Sequence, residues 1–492
     1  MQKILLYLRS HLGSYELIAF ASGFVLMAYE MVASRILAPS IGSSMYVWTS
    51  VIGTMIAALA IGYAVGGWLA DKRVAAQDVA WLLLLSAIAV GGTLLFYEPI
   101  LFIISEGVTD QRLQGILAAV LLFLPASFLL GMISPYLARL RVKSVVTTGR
   151  SVAMLSALNS IGGISGTFFA GFVFFSLIGS RETLALLVIA LVACSWLVMP
   201  RHRRTWRMVA TFCLALLLVL QFAGRAQAAG LVANIDTPTS HYSVVELGYR
   251  GHNTRLLVTD PRGFQSGIRT DGNKDLVFDY TQRLAEAVAQ APKKDRIVIL
   301  GGGVFTLPEY LAVTYPQSQI DVVEIDPQLE QIAKEYFYYR PQPNIRVFAQ
   351  DARAFLHDTK DSQYDLVLVD AYNNDSAIPF SLSTREFTEG LKRILTPDGA
   401  VLANIIGSAS APCLPALSSL HGSYLSAFAE SFVAPVAPRI NPDIRQNLIA
   451  VYANNSVDWA RPLGSELYIH AGAAQKLTDN YAPVESLWQT CH

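Results

Sequence analysis

Residues 296–327 read RIVILGGGVFTLPEYLAVTYPQSQIDVVEIDP, and this stretch decides the fold of the second half of the chain. Residues 296–300 carry a short apolar run, Ile297 to Leu300, with two β-branched Ile and one Val, and read as a buried strand. Gly301, Gly302 and Gly303 follow, and three missing side chains let a ligand approach the backbone. Thr306-Leu-Pro308-Glu309 has the form of a capping box with Pro in the first turn, so a helix over 306–315 is expected. A second strand over 320–325 carries Glu324, which stands 21 residues beyond Gly303. At that interval an acid can accept hydrogen bonds from both ribose hydroxyls of a nucleoside.

Working outward, the alternation continues with a helix over 327–338, strands over 345–349, 366–369 and 400–406, and a helix over 384–395. Strands and helices at this spacing imply a parallel sheet covered on both faces, with ligands bound at the carboxyl ends of the strands. Asp351-Ala352 follows the third strand, where a carboxylate can accept from an adenine amino group, and Asp370 follows the fourth. A Gly-rich turn is common by itself, and a strand-end Asp often does no more than cap the next helix. Upstream, 243–247 and 255–259 read as a hairpin across Gly251-His252-Asn253, with a third strand over 264–269.

The 492 residues exceed one ordinary domain, and 53% hydrophobic against 15% charged leaves too few solvated side chains for a wholly soluble protein. Net charge is zero, but residues 1–224 carry +7 and the remainder −7, so no basic groove for nucleic acid is implied. Seven apolar runs lie near 17–37, 47–70, 79–97, 113–138, 152–178, 183–199 and 208–224, the last being the shortest. Lys3, Arg9, Lys72, Arg73, Arg139, Arg141, Lys143, Arg150, Arg201, Arg203, Arg204 and Arg207 gather on one side if all seven cross, and that side is then cytoplasmic. Seven crossings put the second half outside the cytoplasm, whereas a seventh run lying in the interface returns it to the cytosol. Small residues at helical spacing, Gly62 to Gly67 and Asn159 to Gly166, suggest close helix packing. Glu30 lies inside the first run with Arg35 as its nearest candidate partner, a structural pair or a transport site. The expected organisation is a transmembrane all-α domain over 1–224, a small β-module with a linking helix over 225–292, and a nucleoside-binding Rossmann-like domain over 293–492.

These residues resemble the spermidine synthase (polyamine aminopropyltransferase) family, in its membrane-fused branch. The carriers are Gln265, Ile299 to Gly303, Val323-Glu324-Ile325-Asp326-Pro327, Asp351-Ala352, Tyr364 to Tyr372 and Pro379 to Phe387. The resemblance implies decarboxylated S-adenosylmethionine as co-substrate, with no prosthetic group and no metal. It places Gln265, Gly301, Gly302, Gly303, Glu324, Asp326, Asp351 and Ala352 around the nucleoside and Asp370 as the catalytic group. A small-molecule amine such as putrescine is the implied acceptor, with Asp275, Asp279, Tyr280, Tyr372 and Asp375 as candidate replacement contacts beside Asn373, and a lid over 370–383 closes over both substrates. It also implies an inner-membrane, multi-pass protein and a homo-oligomer. The chain departs from the family pattern in four places. Val304 follows the glycines where the family has Asp, Asn373 stands where a second carboxylate is usual, Thr281 follows Tyr280 in place of His, and Ser243 replaces a Gln. The nucleoside side is thus retained and the diamine side eroded.

Two other readings compete: a methyltransferase using S-adenosylmethionine on the same fold, and a transporter or sensor that binds a nucleoside or polyamine without turnover. The six His between His241 and His492 lack metal spacing. Cys413 and Cys491 form a disulfide if their domain lies outside the cytoplasm, or packed thiols if it does not.

Overall fold

The computed structural model describes residues 13–199 and 230–491, apart from 42–44, 109, 143–147, 238, 261–262, 373–377, 409, 438–443, 465, 470–474 and 490. The chain divides into two compact units: Met1–Ala229 with Ile235–His241, and Gly230–Asn234 with Tyr242–His492.

The first unit is helical: α1 (Ser14–Ile41), α2 (Met45–Lys72), α3 (Ala76–Gly107), α4 (Gln111–Leu122), α5 (Leu124–Arg141), α6 (Thr148–Phe169) and α7 (Gly179–Val198). Among the described residues, five helices are long and apolar enough to cross a membrane, or six if the bent pair Arg112–Leu122 and Leu124–Arg141 counts as one. The expected run over 113–138 is therefore broken, with a bend of 52°. Pro125 is the reason, since it has no backbone N–H to continue the preceding helix and its ring clashes with the carbonyl four residues back, so it is accommodated in the first turn of a new helix. The Leu122 carbonyl at the break accepts from the hydroxyls of Tyr29 and Thr93, at 2.9 and 2.8 Å. The seventh run, 208–224, and the basic residues Lys3, Arg9, Lys143, Arg201, Arg203, Arg204 and Arg207 lie outside the described residues.

Glycines set the tightest helix contacts. A Cβ on Gly162 would stand 2.0 Å from the Phe20 carbonyl oxygen, and one on Gly62 would stand 2.3 Å from that of Phe128. Close backbone approach of this kind is how small residues join helices without a hydrophobic driving force. The unit has two polar ends. At one, Arg141 pairs with Glu16 at 2.7 Å and Arg139 with Asp71 at 3.7 Å. At the other, Arg112 donates to the Tyr46 hydroxyl at 3.2 Å and Arg181 pairs with Glu98 at 2.9 Å. Residues 235–241 are bound at this second end. Asp236 accepts the Ser180 N–H at 2.9 Å and lies 2.9 Å from His241 and 4.0 Å from Arg35. Arg35 also donates to the Thr237 carbonyl, so it turns to this segment instead of to Glu30.

The second unit holds two sheets. β1 (Leu231–Asp236), β2 (His241–Tyr249), β3 (His252–Asp260) and β4 (Gly263–Arg269) form a four-stranded sheet in chain order. Positive φ at Arg250 and Gly251 makes the two-residue turn between β2 and β3, a geometry that matches strand twist. After α8 (Asp279–Gln290) come β5 (Arg296–Leu300), α9 (Thr306–Thr314), β6 (Gln319–Glu324), α10 (Leu329–Tyr336), β7 (Ile345–Ala349), α11 (Ala352–Asp358) and β8 (Tyr364–Val369). They are followed by α12 (Arg385–Ile394), β9 (Leu395–Gly407), α13 (Leu414–Leu425), β10 (Glu430–Pro435), β11 (Gln446–Ala453) and α14 (Val484–Gln489). The larger sheet runs β10-β11-β9-β8-β5-β6-β7, a Rossmann-like, methyltransferase-type order.

The strands expected to lie parallel, β5 to β9, do so, and the sheet is extended by β11, which pairs antiparallel with both β9 and β10. Apolar runs such as Leu448-Ile449-Ala450-Val451 identify a buried strand without fixing its direction. The chain reverses its strand order between β5 and β8, and open α/β sheets bind ligands at such a switch point. Cys413 and Cys491 are joined by a disulfide, both buried beside α13 and α14.

Candidate active site

Register brings the functional residues to one edge. Leu300 pairs with Val323 and Val369, and Glu324 with Ala349, so the residues leaving β5, β6, β7 and β8 emerge level at the carboxyl edge. Gly301, Glu324, Asp351 and Asp370 are thereby brought to that one edge.

The glycine turn is shaped by close packing. Gly301 has φ +103°, and a Cβ there would lie 2.2 Å from the Asp370 carbonyl oxygen. Gly303 has φ +52°, with Ser266 Oγ 2.4 Å from the same imagined atom. Any larger residue at either position would push apart β5, β8 or the edge of β4. Val304, where an acid is expected from the family pattern, is buried, and its N–H donates to Ser266 Oγ at 3.4 Å.

The backbone grips Glu324. Its Oε2 accepts the Gly302 N–H at 2.8 Å and its Oε1 accepts the Asp326 N–H at 3.0 Å. Burial raises its pKa, and the N–H donors of Asp326, Gly302 and Gly303 only partly offset that rise. Each oxygen keeps acceptor capacity for a diol. Ile325, next along, is 57% exposed at this edge and offers an apolar surface against which a flat base can pack, a feature not singled out from sequence. Asp326 is buried, and its carboxylate accepts the Gln328 N–H at 2.9 Å, shaping the turn into α10. Asp351 is exposed and caps α11, its Oδ1 accepting from the N–H groups of Arg353 and Ala354 at 2.8 and 3.2 Å. Ala352 opens that helix, and Gln265 on β4 accepts the Tyr280 hydroxyl through its carbonyl at 3.2 Å.

On the other side of the switch point, side chains do the holding. Asn404 Nδ2 donates to Asp370 Oδ1 at 2.8 Å, and the Tyr280 hydroxyl bonds the same carboxylate. Burial pushes Asp370 up to about 6, against the opposing pull of those two donors. Tyr280 and Tyr372 both stay protonated, raised first by burial and then by the Asp370 charge. The Tyr372 hydroxyl donates to the Asn404 carbonyl at 2.7 Å and accepts the Ile406 N–H at 3.0 Å. Asn404 and its neighbour Asn447 escaped the sequence reading, because an Asn inside an apolar strand carries no local signature. Asp279 is engaged at the surface with Arg250, and Asp275 in a turn with Asn273. Ser243 donates to Asn234 at 2.7 Å. Asn373 and Asp375 lie outside the described residues. Among the described residues no group of three or more His, Cys, Asp or Glu side chains is placed to hold a metal ion.

Residues 277–405 match the family described as Spermine/spermidine synthase domain. A stretch of 134 residues is 40% identical to the polyamine aminopropyltransferase of Vibrio vulnificus (strain CMCP6), covering 27% of this chain and 44% of that protein. Another of 167 residues is 36% identical to a Bifidobacterium longum (strain NCC 2705) protein named probable polyamine aminopropyl transferase, covering 34% and 36%. The eEF1A lysine and N-terminal methyltransferase homolog of Drosophila pseudoobscura pseudoobscura is 30% identical over 127 residues, covering 24% and 19%. The chain thus spans less than half the length of each of these relatives.

Proposed function

We propose that this chain, whose residues 277–405 are a spermine/spermidine synthase domain, is a membrane-bound aminopropyltransferase that moves an aminopropyl group from decarboxylated S-adenosylmethionine to an amine. The observation that carries the reading is the Asp370 carboxylate, held by Asn404 and Tyr280 at the switch point beside the glycine turn. An amine attacks carbon only through a free lone pair. Asp370, titrating near 6, is ionised at neutral pH and accepts the proton that the ammonium must lose. The new C–N bond forms as the C–S bond breaks, and the sulfonium electrons leave on sulfur as neutral methylthioadenosine. In this reading Glu324 takes the ribose hydroxyls, Asp351 offers Oδ2 to the adenine amino group, and Gly301 to Gly303 admit the nucleoside against the backbone. Tyr280 and Tyr372 face the acceptor.

A methyltransferase reading is favoured by one observation: the buried Val304 leaves no carboxylate after the glycine turn to hold an aminopropyl amine. Product analysis separates the two. The full chain in detergent, given putrescine with decarboxylated S-adenosylmethionine or with S-adenosylmethionine, should release methylthioadenosine from the first. S-adenosylhomocysteine from the second instead would overturn the proposal.

The helical unit serves as the membrane anchor, with the active site outside the cytoplasm. Two features support this placement. Lys72, Arg73, Arg139, Arg141 and Arg150 form the basic side of the helical unit, which belongs in the cytoplasm, and seven crossings from that side carry the chain to the opposite one. The Cys413–Cys491 disulfide suits an oxidising compartment. A reporter fused to the C-terminus should be active only if exported, and cytoplasmic reporter activity would refute the placement.

A further inference from the structure

Asn404 sits on β9 level with the carboxyl end of β8, because Val369 pairs with Ala403. Its side chain has both ends committed: Nδ2 donates to Asp370 Oδ1 at 2.8 Å, and Oδ1 accepts from Asn447 Nδ2 at 2.9 Å. Asn447 stands on β11, the diagonal neighbour of Asn404, which itself pairs with Ile449. The backbone carbonyl oxygen of Asn404 is also engaged, by the Tyr372 hydroxyl at 2.7 Å. Asn404 is buried, so an amide there is costly unless every end is satisfied. These bonds all run one way, from amide N–H to amide oxygen to carboxylate, and end on the one acid of the acceptor half.

We infer that Asn404, steadied by Asn447, is the positioning residue of Asp370: it fixes the carboxylate in one rotamer and biases it toward the ionised form. The inference rests on the reading of Asp370 as the base. A merely structural Asn would stabilise the sheet without touching the titration of its neighbour. This one donates to the charged form, and a donor to the charged form lowers an acid's pKa. The other groups facing Asp370 are Tyr280 from α8 and Tyr372 from the loop after β8, both neutral, with Arg445 ahead of β11 bearing on Tyr372. Tyr280 is the other group drawn to this carboxylate among the described residues, but its single hydroxyl proton is shared with the Gln265 carbonyl at 3.2 Å, so it cannot replace the amide on β9.

The test uses the full chain in detergent. The carbonyl stretch of protonated Asp370, identified by its loss in Asp370→Asn, is followed by infrared spectroscopy against pH, and the acid limb of turnover is followed in parallel. In Asn404→Leu both midpoints should rise by roughly one pH unit, the worth of one hydrogen bond to a charged group. In Asn447→Leu they should rise less, since the amide remains but is no longer held. Methylthioadenosine, as binding probe, should keep its affinity within about threefold in both. Midpoints that stay put in Asn404→Leu, or in Asn447→Leu where the first variant does not fold, overturn the inference. An infrared shift without any turnover by the unsubstituted protein supports the positioning role and counts against aminopropyl transfer, so the two failures are distinguishable.

Discussion

On the β5–β7 side of the sheet, the main chain holds the acids: Glu324 by the N–H groups of Gly302 and Asp326, Asp351 by those of Arg353 and Ala354. On the β8–β11 side, side chains hold them: Asp370 by Asn404 and Tyr280, with Asn447 behind. Backbone donors survive substitution of the residues that carry them, whereas side-chain donors vanish with one codon. The donors of the nucleoside half are therefore indifferent to side-chain identity, apart from the glycines that close packing demands, whereas those of the acceptor half are adjustable, which fits an eroded diamine pattern beside an intact glycine turn.

Breaking the acceptor half should have the largest effect. Asp370→Asn is expected to lower turnover by roughly 10²–10⁴-fold, the usual worth of a general base, in a stopped assay for methylthioadenosine. In the unsubstituted protein, activity should climb as pH rises through about 6, where Asp370 loses its proton, and fall below that value. On the other half, Glu324→Gln leaves the turn donors facing an amide. Nucleoside affinity should weaken about tenfold or more by calorimetry, the cost of exchanging a charged acceptor for a neutral one, with turnover of bound substrate less affected.

Asp351→Ala sharpens the contrast further down the scale. Loss of a helix cap costs about 1 kcal/mol, to be read from thermal unfolding. A fall in methylthioadenosine affinity beyond tenfold would show that Asp351 also grips the ligand, and an unchanged affinity would make it a cap alone. The smallest effect concerns His421 on α13, packed against the Tyr452 hydroxyl at 2.9 Å, where burial pushes it down from 6.5 to about 4. The unfolded chain takes up this proton below about 6.5 and the folded one only below about 4, so stability is lost as pH falls across that window. His421→Phe should flatten that part of the stability curve in denaturant titrations.

Legibility in the sequence followed the same division. Strands β5 to β8, the glycine turn, Glu324, Asp351 and Asp370 stand in short contiguous segments whose spacing carries meaning. Asn404 and Asn447 are 43 residues apart and meet only because β11 turns back antiparallel beside β9. No local pattern announces that reversal. The bend at Phe123 was hidden in another way: Pro125 is plain in the sequence, but the apolar run continues through it unbroken. Asp351 shows how one residue supports two readings, since a strand-end carboxylate caps a helix whether or not a ligand is near.

Aminopropyl transfer to an amine through Asp370 is the chemistry on which the function rests. The most direct measurement incubates the full chain with decarboxylated S-adenosylmethionine and a panel of amines, and follows both the released methylthioadenosine and the lengthened amine by mass spectrometry. Equal amounts of the two products from the unsubstituted protein, both lost in Asp370→Asn while methylthioadenosine still binds, are the predicted result. Absence of both products from the unsubstituted protein, or their undiminished formation in Asp370→Asn, would contradict it.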